Sequence, residues 1–264
     1  MARVFTLSSG SSGNCAYIGD AQSGILVDIG LSFSKIKAAL QEAKMSIESV
    51  EALLITHEHS DHIKGLATFC KKTDIPVFAA PKTAEYLLEH IPECEKNLHI
   101  VNLDQENNLD RTSFSAFRVY HDAQDAVGYR ITTADKRVVV YCTDIGHMDE
   151  TVLLHIERAD LNIIEANYDE GMLMCNPAYP FLLKRRISGD FGHLSNKDCA
   201  KTVTELYSRG CRRFVLAHLS EQNNTPEIAY EAVKLALEKM GLNEGVDFEL
   251  DVAPRFDVSR MLIF

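Results

Sequence analysis

The sequence predicts an α+β fold, organised as one domain over residues 1–264. Predicted strands cluster first along the chain, and helices are interleaved with strands later, with comparable helix and strand content. No tract rich in Gly, Ser or Pro divides the chain, and no repeat of about 20–50 residues is visible. Hydrophobic residues make up 46% of the sequence, which is enough to build a large core.

Composition and charge narrow the class of protein. The net charge of −11 argues against a general electrostatic grip on nucleic acid, although two bound cations would themselves attract phosphate. No apolar run approaches the roughly 18 residues that span a bilayer, and the N-terminus shows no signal-peptide pattern. The seven cysteines form no Cys-X-X-Cys pair and are typical of free thiols. We therefore expect a cytoplasmic protein that does not bind membranes.

Hydrophobic periodicity predicts the elements of the first half of the chain. Short apolar or alternating runs indicate strands, and apolar residues spaced by three and four indicate helices, as in residues 34–43. Predicted strands cover residues 3–7, 15–18, 24–29, 52–55, 75–79, 98–101, 114–120 and 126–133, and predicted helices cover 34–43, 63–70 and 81–90.

The same reasoning covers the second half. Residues 176–187 contain two prolines and predict only helical pieces. A helix begins at Ser195 or Asn196 and ends at Gly210, and another runs from Thr225 to Gly241. Further predicted elements are strands at 138–141, 161–164 and 214–217, a helix at 150–156, and one or two strands between 248 and 264.

A pattern of metal-ligand residues follows one predicted strand. Leu53-Leu54-Ile55 leads directly into Thr56-His57-Glu58-His59-Ser60-Asp61-His62. Imidazole nitrogen and carboxylate oxygen are ligands of zinc, manganese and iron. The alternative is a polar surface turn that is rich in histidine. The fixed order His-X-His-X-Asp-His after a strand favours a metal site.

Three further candidate ligands, His121, Asp144 and His218, also follow predicted strands, so they could meet the histidine cluster at one edge of packed sheets. Asp28 interrupts an apolar strand, where a charge needs a partner, and we expect it to hold a ligand loop or a histidine. The seven candidate ligands suit two ions that share a carboxylate better than one ion. They are His57, His59, Asp61, His62, His121, Asp144 and His218.

The order and spacing of these residues resemble the five motifs of the metallo-β-lactamase superfamily. The resemblance implies a four-layer αβ/βα sandwich with the metals at the edge between two mixed sheets. It also implies two divalent ions, Zn²⁺ or Mn²⁺. By this resemblance His57, His59 and His121 hold one ion, Asp61, His62 and His218 hold the other, and Asp144 ligates both.

Three details narrow the resemblance. His59 stands where di-iron oxidoreductases of the superfamily have Glu, which favours a hydrolase. The segment from His121 to Gly128-Tyr129-Arg130 is similar to the ribonuclease Z branch. Segments 9–14, 165–167, 192–196 and 218–224 look like the WalJ/YycJ-type bacterial proteins, which are regarded as single-domain DNA exonucleases acting from the 5′ end.

The resemblance therefore implies a dinuclear-metal phosphodiesterase, a 5′-to-3′ DNA exonuclease in which a metal-bridging hydroxide attacks phosphorus. The expected partner is a nucleic acid, DNA, and the sequence leaves the oligomeric state open. The alternative is a metallo-hydrolase of a small thioester, lactone or cyclic phosphodiester, which the acidic net charge favours. A metal-loaded binding protein without turnover is a third possibility, although structural zinc is usually closed by four ligands.

Two residues are candidates for catalysis. Asp61 is expected to orient the hydroxide while it ligates metal, and His193 is expected to protonate the leaving 3′-oxygen. His193 could instead cap a helix or support a ligand. Glu165 ends a buried predicted strand and could orient His193, or have no part in the chemistry. The run Lys184-Arg185-Arg186 either holds the DNA backbone or forms a solvated helix face.

Two segments are candidates for binding the substrate. The loop of residues 8–14, with Ser11, Ser12 and Asn14, could bring backbone N–H groups close to an anion, or could be an ordinary hairpin turn. Ser195 and Asn196 start a helix whose N-terminus could bind phosphate.

Overall fold

The computed structural model describes residues 1–264, which form two compact units. The first unit comprises Met1–Arg118, Ala123–Val138 and Pro254–Phe264, and the second comprises Val119–Asp122 and Val139–Ala253. Both units contain helices and strands, which confirms the predicted α+β class. A single domain over residues 1–264 stays a prediction.

The chain folds into fourteen β-strands and nine α-helices. The strands are β1 (Arg3–Ser8), β2 (Cys15–Gly19), β3 (Gly24–Val27), β4 (Val50–Leu54), β5 (Val77–Ala79), β6 (Leu98–Ile100), β7 (Asn107–Asn108), β8 (Ser113–Arg118), β9 (Val127–Thr132), β10 (Val138–Cys142), β11 (Leu161–Glu165), β12 (Arg213–Ala217), β13 (Glu249–Val252) and β14 (Leu262–Ile263). The α-helices are α1 (Phe33–Glu42), α2 (Ser60–Ile63), α3 (Leu66–Lys72), α4 (Pro81–His90), α5 (Glu150–Ile156), α6 (Glu170–Cys175), α7 (Phe181–Ile187), α8 (Asn196–Ser208) and α9 (Pro226–Glu238).

Seven strands of the first unit form one mixed sheet in the order β14-β1-β2-β3-β4-β5-β6. The strands from β14 to β3 are antiparallel neighbours, and those from β3 to β6 are parallel. Val27 and Leu54, the last residues of β3 and β4, lie opposite each other. Because parallel strands end at the same edge of a sheet, Asp28 and the histidine-rich loop after β4 begin side by side.

The core of the first unit explains why these strands are apolar throughout. Leu26 and Leu53 are fully buried, as are Ile36 and Leu40 on α1. Parallel strands covered by helices are apolar on both faces, so they read as continuous hydrophobic runs. The first unit also contains β7, β8 and β9, which are antiparallel neighbours in that order.

The second unit contains four parallel strands in the order β10-β11-β12-β13. Cys142 of β10 lies opposite Ile164 of β11, which in turn lies opposite Leu216 of β12. The ends of these three strands therefore share one edge. Helices α8 and α9 pack against each other beside this array.

The prediction of one helix over residues 63–70 is wrong, because the chain forms α2 and α3 with a break at Lys64–Gly65. The Gly65 N–H donates to the Ile29 carbonyl at 2.8 Å. A Cβ atom at Gly65 would lie 2.1 Å from the Leu31 carbonyl oxygen, so only glycine permits this close approach. The break turns the backbone directly after His62.

The helices of the region around residues 170–187 are α6 and α7, separated by a segment that contains Pro177 and Pro180. Helix α7 begins directly after Pro180 and contains no buried residue. None of the chain's helices is both long enough and apolar enough to cross a membrane.

Candidate metal centre

The loop after β4 brings four candidate ligands of the first unit together. The ring of His57 lies 4.6 Å from that of His59 and 4.1 Å from that of His62, measured between centroids. An Asp61 carboxylate oxygen lies 3.4 Å from His62 Nε2. His57 and His62 are buried, whereas His59 and Asp61 are partly exposed. These four side chains therefore lie close together within this unit, and their role as metal ligands stays a prediction.

Asp28 fixes the orientation of His62. Its fully buried carboxylate accepts from the Thr56 N–H at 2.8 Å and lies 2.8 Å from His62 Nδ1. Burial raises the pKa of Asp28, and the charge and hydrogen bond of His62 and the hydrogen bonds from Thr56 only partly oppose that rise. When it is ionised, Asp28 accepts the Nδ1 proton of His62, which places the lone pair on Nε2. This is the tautomer that a metal ligand requires.

Asn14 connects the opening loop to the same ligands. Its side-chain oxygen accepts from the Gly10 N–H at 2.8 Å, and its Nδ2 lies 3.2 Å from Asp61 Oδ2 and 3.0 Å from His62 Nε2. Asn14 is fully buried, while Ser11 and Ser12 are exposed. The loop therefore joins the antiparallel strands β1 and β2 and also contacts Asp61 and His62 through Asn14. Substrate binding by these three residues stays a prediction.

In the second unit, four side chains form a compact acid–histidine cluster. One ligand atom from each of Asp144, Glu165, His193 and His218 lies within 4.8 Å of the others. His218 Nδ1 is 3.3 Å from an Asp144 oxygen, and His193 Nδ1 is 3.7 Å from the same oxygen. These close contacts bring two imidazoles and two carboxylates into one cluster.

Glu165 is the anchor of this cluster. Its Oε1 lies 2.9 Å from His193 Nδ1 and 2.8 Å from His218 Nδ1, and its Oε2 accepts from the Ile145 and Leu194 N–H groups at 3.0 Å. Burial raises the pKa of Glu165, but the two histidines outweigh this effect and hold its pKa well below the ordinary value. Both oxygens are occupied as acceptors, so Glu165 positions the two imidazoles.

The Nδ1 atom of His121 is also held by an acceptor, which here is a backbone carbonyl. Its Nδ1 lies 3.0 Å from the Gly192 oxygen, which can only accept, so Nδ1 carries the proton and Nε2 carries the lone pair. Burial lowers the pKa of His121, although Asp144 partly opposes this. A neutral imidazole is the form that binds metal. His62, His121 and His218 thus each hold Nδ1 against an acceptor, which places the lone pair on Nε2.

Backbone strain recurs at these positions. Asp28, Asp144 and His218 have φ values of 59°, 57° and 56°, in the left-handed region that residues other than glycine rarely adopt. Each lies one or two residues beyond the end of its strand. Such strain persists where surrounding contacts over-determine the conformation, as at functional sites.

His193 is partly exposed and lies on a loop that α7 holds. Its N–H donates to the Ile187 carbonyl at 2.8 Å. Burial lowers the pKa of His193, but Glu165 and then Asp144 raise it, and the net direction is upward. Ser195 and Asn196 are buried at the start of α8, where Ser195 Oγ accepts from the Asp198 N–H at 3.0 Å. Ser195 is thus the residue that caps α8. Phosphate binding by Ser195 and Asn196 stays a prediction.

Two residues that position ligands were not among the candidates. Thr56 Oγ1 lies 3.0 Å from His57 Nδ1, and Asn167 Nδ2 donates to the His218 carbonyl at 2.8 Å. Thr56 lies between the strand and the first histidine, so its position in the sequence could have drawn attention to it. Asn167 follows Glu165 by two residues, but nothing in the sequence indicates which carbonyl its amide meets.

Comparison with known proteins identifies the family. Residues 24–219 match the beta-lactamase superfamily domain. The chain is 35% identical over 253 residues to the exodeoxyribonuclease YycJ of Bacillus anthracis, covering 94% of each protein. It is also 35% identical over 254 residues to the exodeoxyribonuclease WalJ of Streptococcus pneumoniae serotype 2 (strain D39 / NCTC 7466), covering 94% of this chain and 93% of WalJ.

A solved structure shows the same fold. The metallo-beta-lactamase fold protein YhfI from Bacillus subtilis matches with a TM-score of 0.71, at 16% identity and 98% coverage of both chains. At this identity the likeness concerns the fold alone. The domain match and the relatives that align over nearly the whole chain show that this protein belongs to the beta-lactamase superfamily and is a metal-dependent hydrolase.

Proposed function

We propose that this protein is a two-metal phosphodiesterase that degrades DNA from its 5′ end. The observation that carries the choice of DNA is the 35% identity to two proteins named exodeoxyribonucleases, over 94% of this chain. The anchored histidines support the choice of metal chemistry, since three of them present Nε2 in the ligand tautomer. The cytoplasmic location expected from the sequence stays a prediction.

The proposed ligands are the seven residues that the superfamily motifs assign. His57, His59 and His121 would hold one ion, Asp61, His62 and His218 the other, and Asp144 both. Zn²⁺ or Mn²⁺ would suit these nitrogen and oxygen donors. Two bound cations would lower the pKa of a water and neutralise the charge of the phosphate oxygens.

The chain's own residues then have defined tasks. Asp61 orients the attacking water, and Asn14 fixes the Asp61 carboxylate through a 3.2 Å contact. His193 is held through Nδ1 by Glu165, which leaves Nε2 to donate a proton to the 3′-oxygen as the phosphorus–oxygen bond breaks. The products would be a 5′-nucleotide and a shortened strand.

The second candidate is hydrolysis of a small thioester, lactone or cyclic phosphodiester. The net charge of −11 favours it, because an acidic surface repels a long polyanion. The same residues would serve both reactions, so only the substrate separates the two functions.

The test is hydrolysis of 5′-phosphorylated single- and double-stranded DNA by protein loaded with Zn²⁺ or Mn²⁺, alongside a panel of the small substrates. We expect DNA to be degraded, and the Asp61→Ala protein to lose this activity while remaining folded. DNA hydrolysis that persists unchanged in Asp61→Ala would contradict the proposal. Turnover of a small substrate without DNA hydrolysis would replace the proposal with the second candidate.

A further inference from the structure

Helix α7 is exposed to solvent although it contains several large apolar side chains. It is the seven-residue segment FLLKRRI, and none of its residues is buried. Phe181 and Leu182 are 71% and 77% exposed, and Phe191, shortly after the helix, is 58% exposed. Large apolar side chains left in solvent on one short segment are typical of an interaction surface.

The same segment carries a concentration of positive charge. Lys184, Arg185 and Arg186 form its last turn, in a chain whose net charge is −11. Arg186 is paired with Asp122, and Lys184 donates to the Met174 carbonyl at 2.7 Å, so Arg185 is the cation that stands beside the exposed Phe181. The Arg185 guanidinium lies 6.0 Å from the centre of the Phe181 ring. Exposed aromatic rings interleaved with cations complement a single-stranded nucleic acid, whose bases stack and whose phosphates are negative.

The surface is fixed to the acid–histidine cluster by backbone contacts. The Gly192 N–H donates to the Gly189 carbonyl at 2.8 Å, and the His193 N–H donates to the last residue of α7. A Cβ atom at Gly192 would lie 2.1 Å from the Ile187 carbonyl oxygen, so this close packing requires glycine. A strand bound here would therefore have a defined approach to His193.

The Phe191 ring packs against a second aromatic side chain on one side. Its ring meets that of Tyr120 edge-on at 6.2 Å, and Tyr120 stacks on His147 at 4.1 Å. The Tyr120 hydroxyl donates to Asp149 at 2.6 Å. A ring that is exposed on one side and braced on the other is suited to stacking on a base.

We propose that residues 181–191, here named the stacking platform, bind a single DNA strand next to His193. Phe181 and Phe191 stack on bases, and Arg185 contacts a phosphate. This inference rests on the proposed function, because it names the form of DNA that reaches that same site. A membrane surface or a second copy of this chain would be a different occupant, and the test separates them.

The binding test uses the full-length, metal-loaded protein and two hydrolysis-resistant phosphorothioate strands of about ten nucleotides, one of thymidines and one abasic. We expect Phe181→Ala and Phe191→Ala each to weaken thymidine-strand binding about tenfold, measured by fluorescence anisotropy. Binding of the abasic strand should not change. The Phe→Tyr replacements should retain binding, as should Leu154→Ala, a control that removes an equally exposed side chain from α5.

The charge test measures salt dependence. Arg185→Gln should reduce the slope of log affinity against log salt by about 0.7, the value for one phosphate contact on a single strand. Arg158→Gln, which removes a cation whose side chain is 81% exposed, should leave the slope unchanged.

Hydrolysis of bis(p-nitrophenyl) phosphate separates this inference from the proposed function. Platform variants should keep the wild-type rate on this small diester. If wild-type protein hydrolyses neither DNA nor the diester, the proposed function fails, while the binding measurements still decide the platform. The platform is refuted if both alanine variants bind the thymidine strand as tightly as wild type does. It is also refuted if each variant loses as much affinity for the abasic strand as for the thymidine strand. It is also refuted if their only defect is in dimerisation or vesicle binding.

Discussion

The Nδ1 atom of His62 lies 2.8 Å from the carboxylate of Asp28, and neither side chain is exposed to solvent. A buried acceptor at this position fixes both the tautomer and the plane of the imidazole. The second unit repeats the arrangement with Glu165 and His218 at 2.8 Å. A carboxylate behind a histidine is the usual support for a metal ligand.

Replacing Asp28 by Asn should weaken metal binding. The amide can present a donor to His62 Nδ1, which would favour the wrong tautomer. We expect divalent-ion affinity to fall about 10–100-fold, measured by competition with a chromogenic chelator. Asp74→Asn, at a side chain that is 94% exposed, is the matched control. Equal affinities for wild type and Asp28→Asn would show that the anchor has no role in metal binding.

Replacing Glu165 by Gln should destabilise the protein itself. Glu165 accepts four hydrogen bonds while fully buried, and an amide must turn one donor group toward other donors. We expect the free energy of unfolding to fall by about 3 kcal/mol, measured by urea denaturation of the metal-free protein. Glu170→Gln, on the exposed side chain at the start of α6, should change it little. Similar stability of the two variants would contradict the role of Glu165 as an anchor.

Replacing His193 by Ala should affect turnover more than metal content. The imidazole is the candidate proton donor, and removing such a group lowers kcat by about 10²–10⁴-fold. Metal analysis should show wild-type occupancy. His90→Ala removes an exposed histidine from α4 and should keep full activity. Full activity of His193→Ala would refute the proton-donor assignment and leave the metal site standing.

Asp149 should contribute stability that acid removes. The Tyr120 hydroxyl and the Val152 N–H donate to this carboxylate and hold its pKa below the ordinary value. Its contribution is therefore fully present above the unfolded pKa of about 3.9 and is lost as pH falls through the lower folded pKa.

The measurement for Asp149 is thermal unfolding at neutral pH and near pH 3. We expect Asp149→Asn to have the lower Tm at neutral pH, and the gap to wild type to narrow in acid. Asp257→Asn, at an exposed aspartate, should track wild type at both values. A gap that widens in acid would contradict the sign of the pKa shift.

Much of the candidate site follows from the sequence because strand ends are visible as apolar runs. His57, Asp144 and His218 each follow such a run, and the structure places each within one to three residues beyond the end of a strand. The superfamily then follows from their order. The starts of α8 and α9 could be predicted from their capping residues, and Ser195 and Thr225 are the N-caps in the structure.

The remaining features depend on tertiary contacts that leave no local pattern. The left-handed backbone at Asp28 and Asp144 leaves no periodic pattern in the sequence, although aspartate adopts this region more readily than most residues other than glycine. The break between α2 and α3 depends on the Leu31 carbonyl, which is more than thirty positions away from Gly65. Periodicity carries no information about such a contact, so it predicted a continuous helix.

Metal-dependent removal of nucleotides from the 5′ end of DNA can be followed on a 5′-labelled DNA strand, after chelation of the metal and after readdition of Zn²⁺ or Mn²⁺. We expect the label to leave first, as a mononucleotide, chelation to stop its release, and one of the metals to restore it. Label that remains in long fragments, or release that chelation does not affect, would refute 5′-to-3′ metal-dependent hydrolysis.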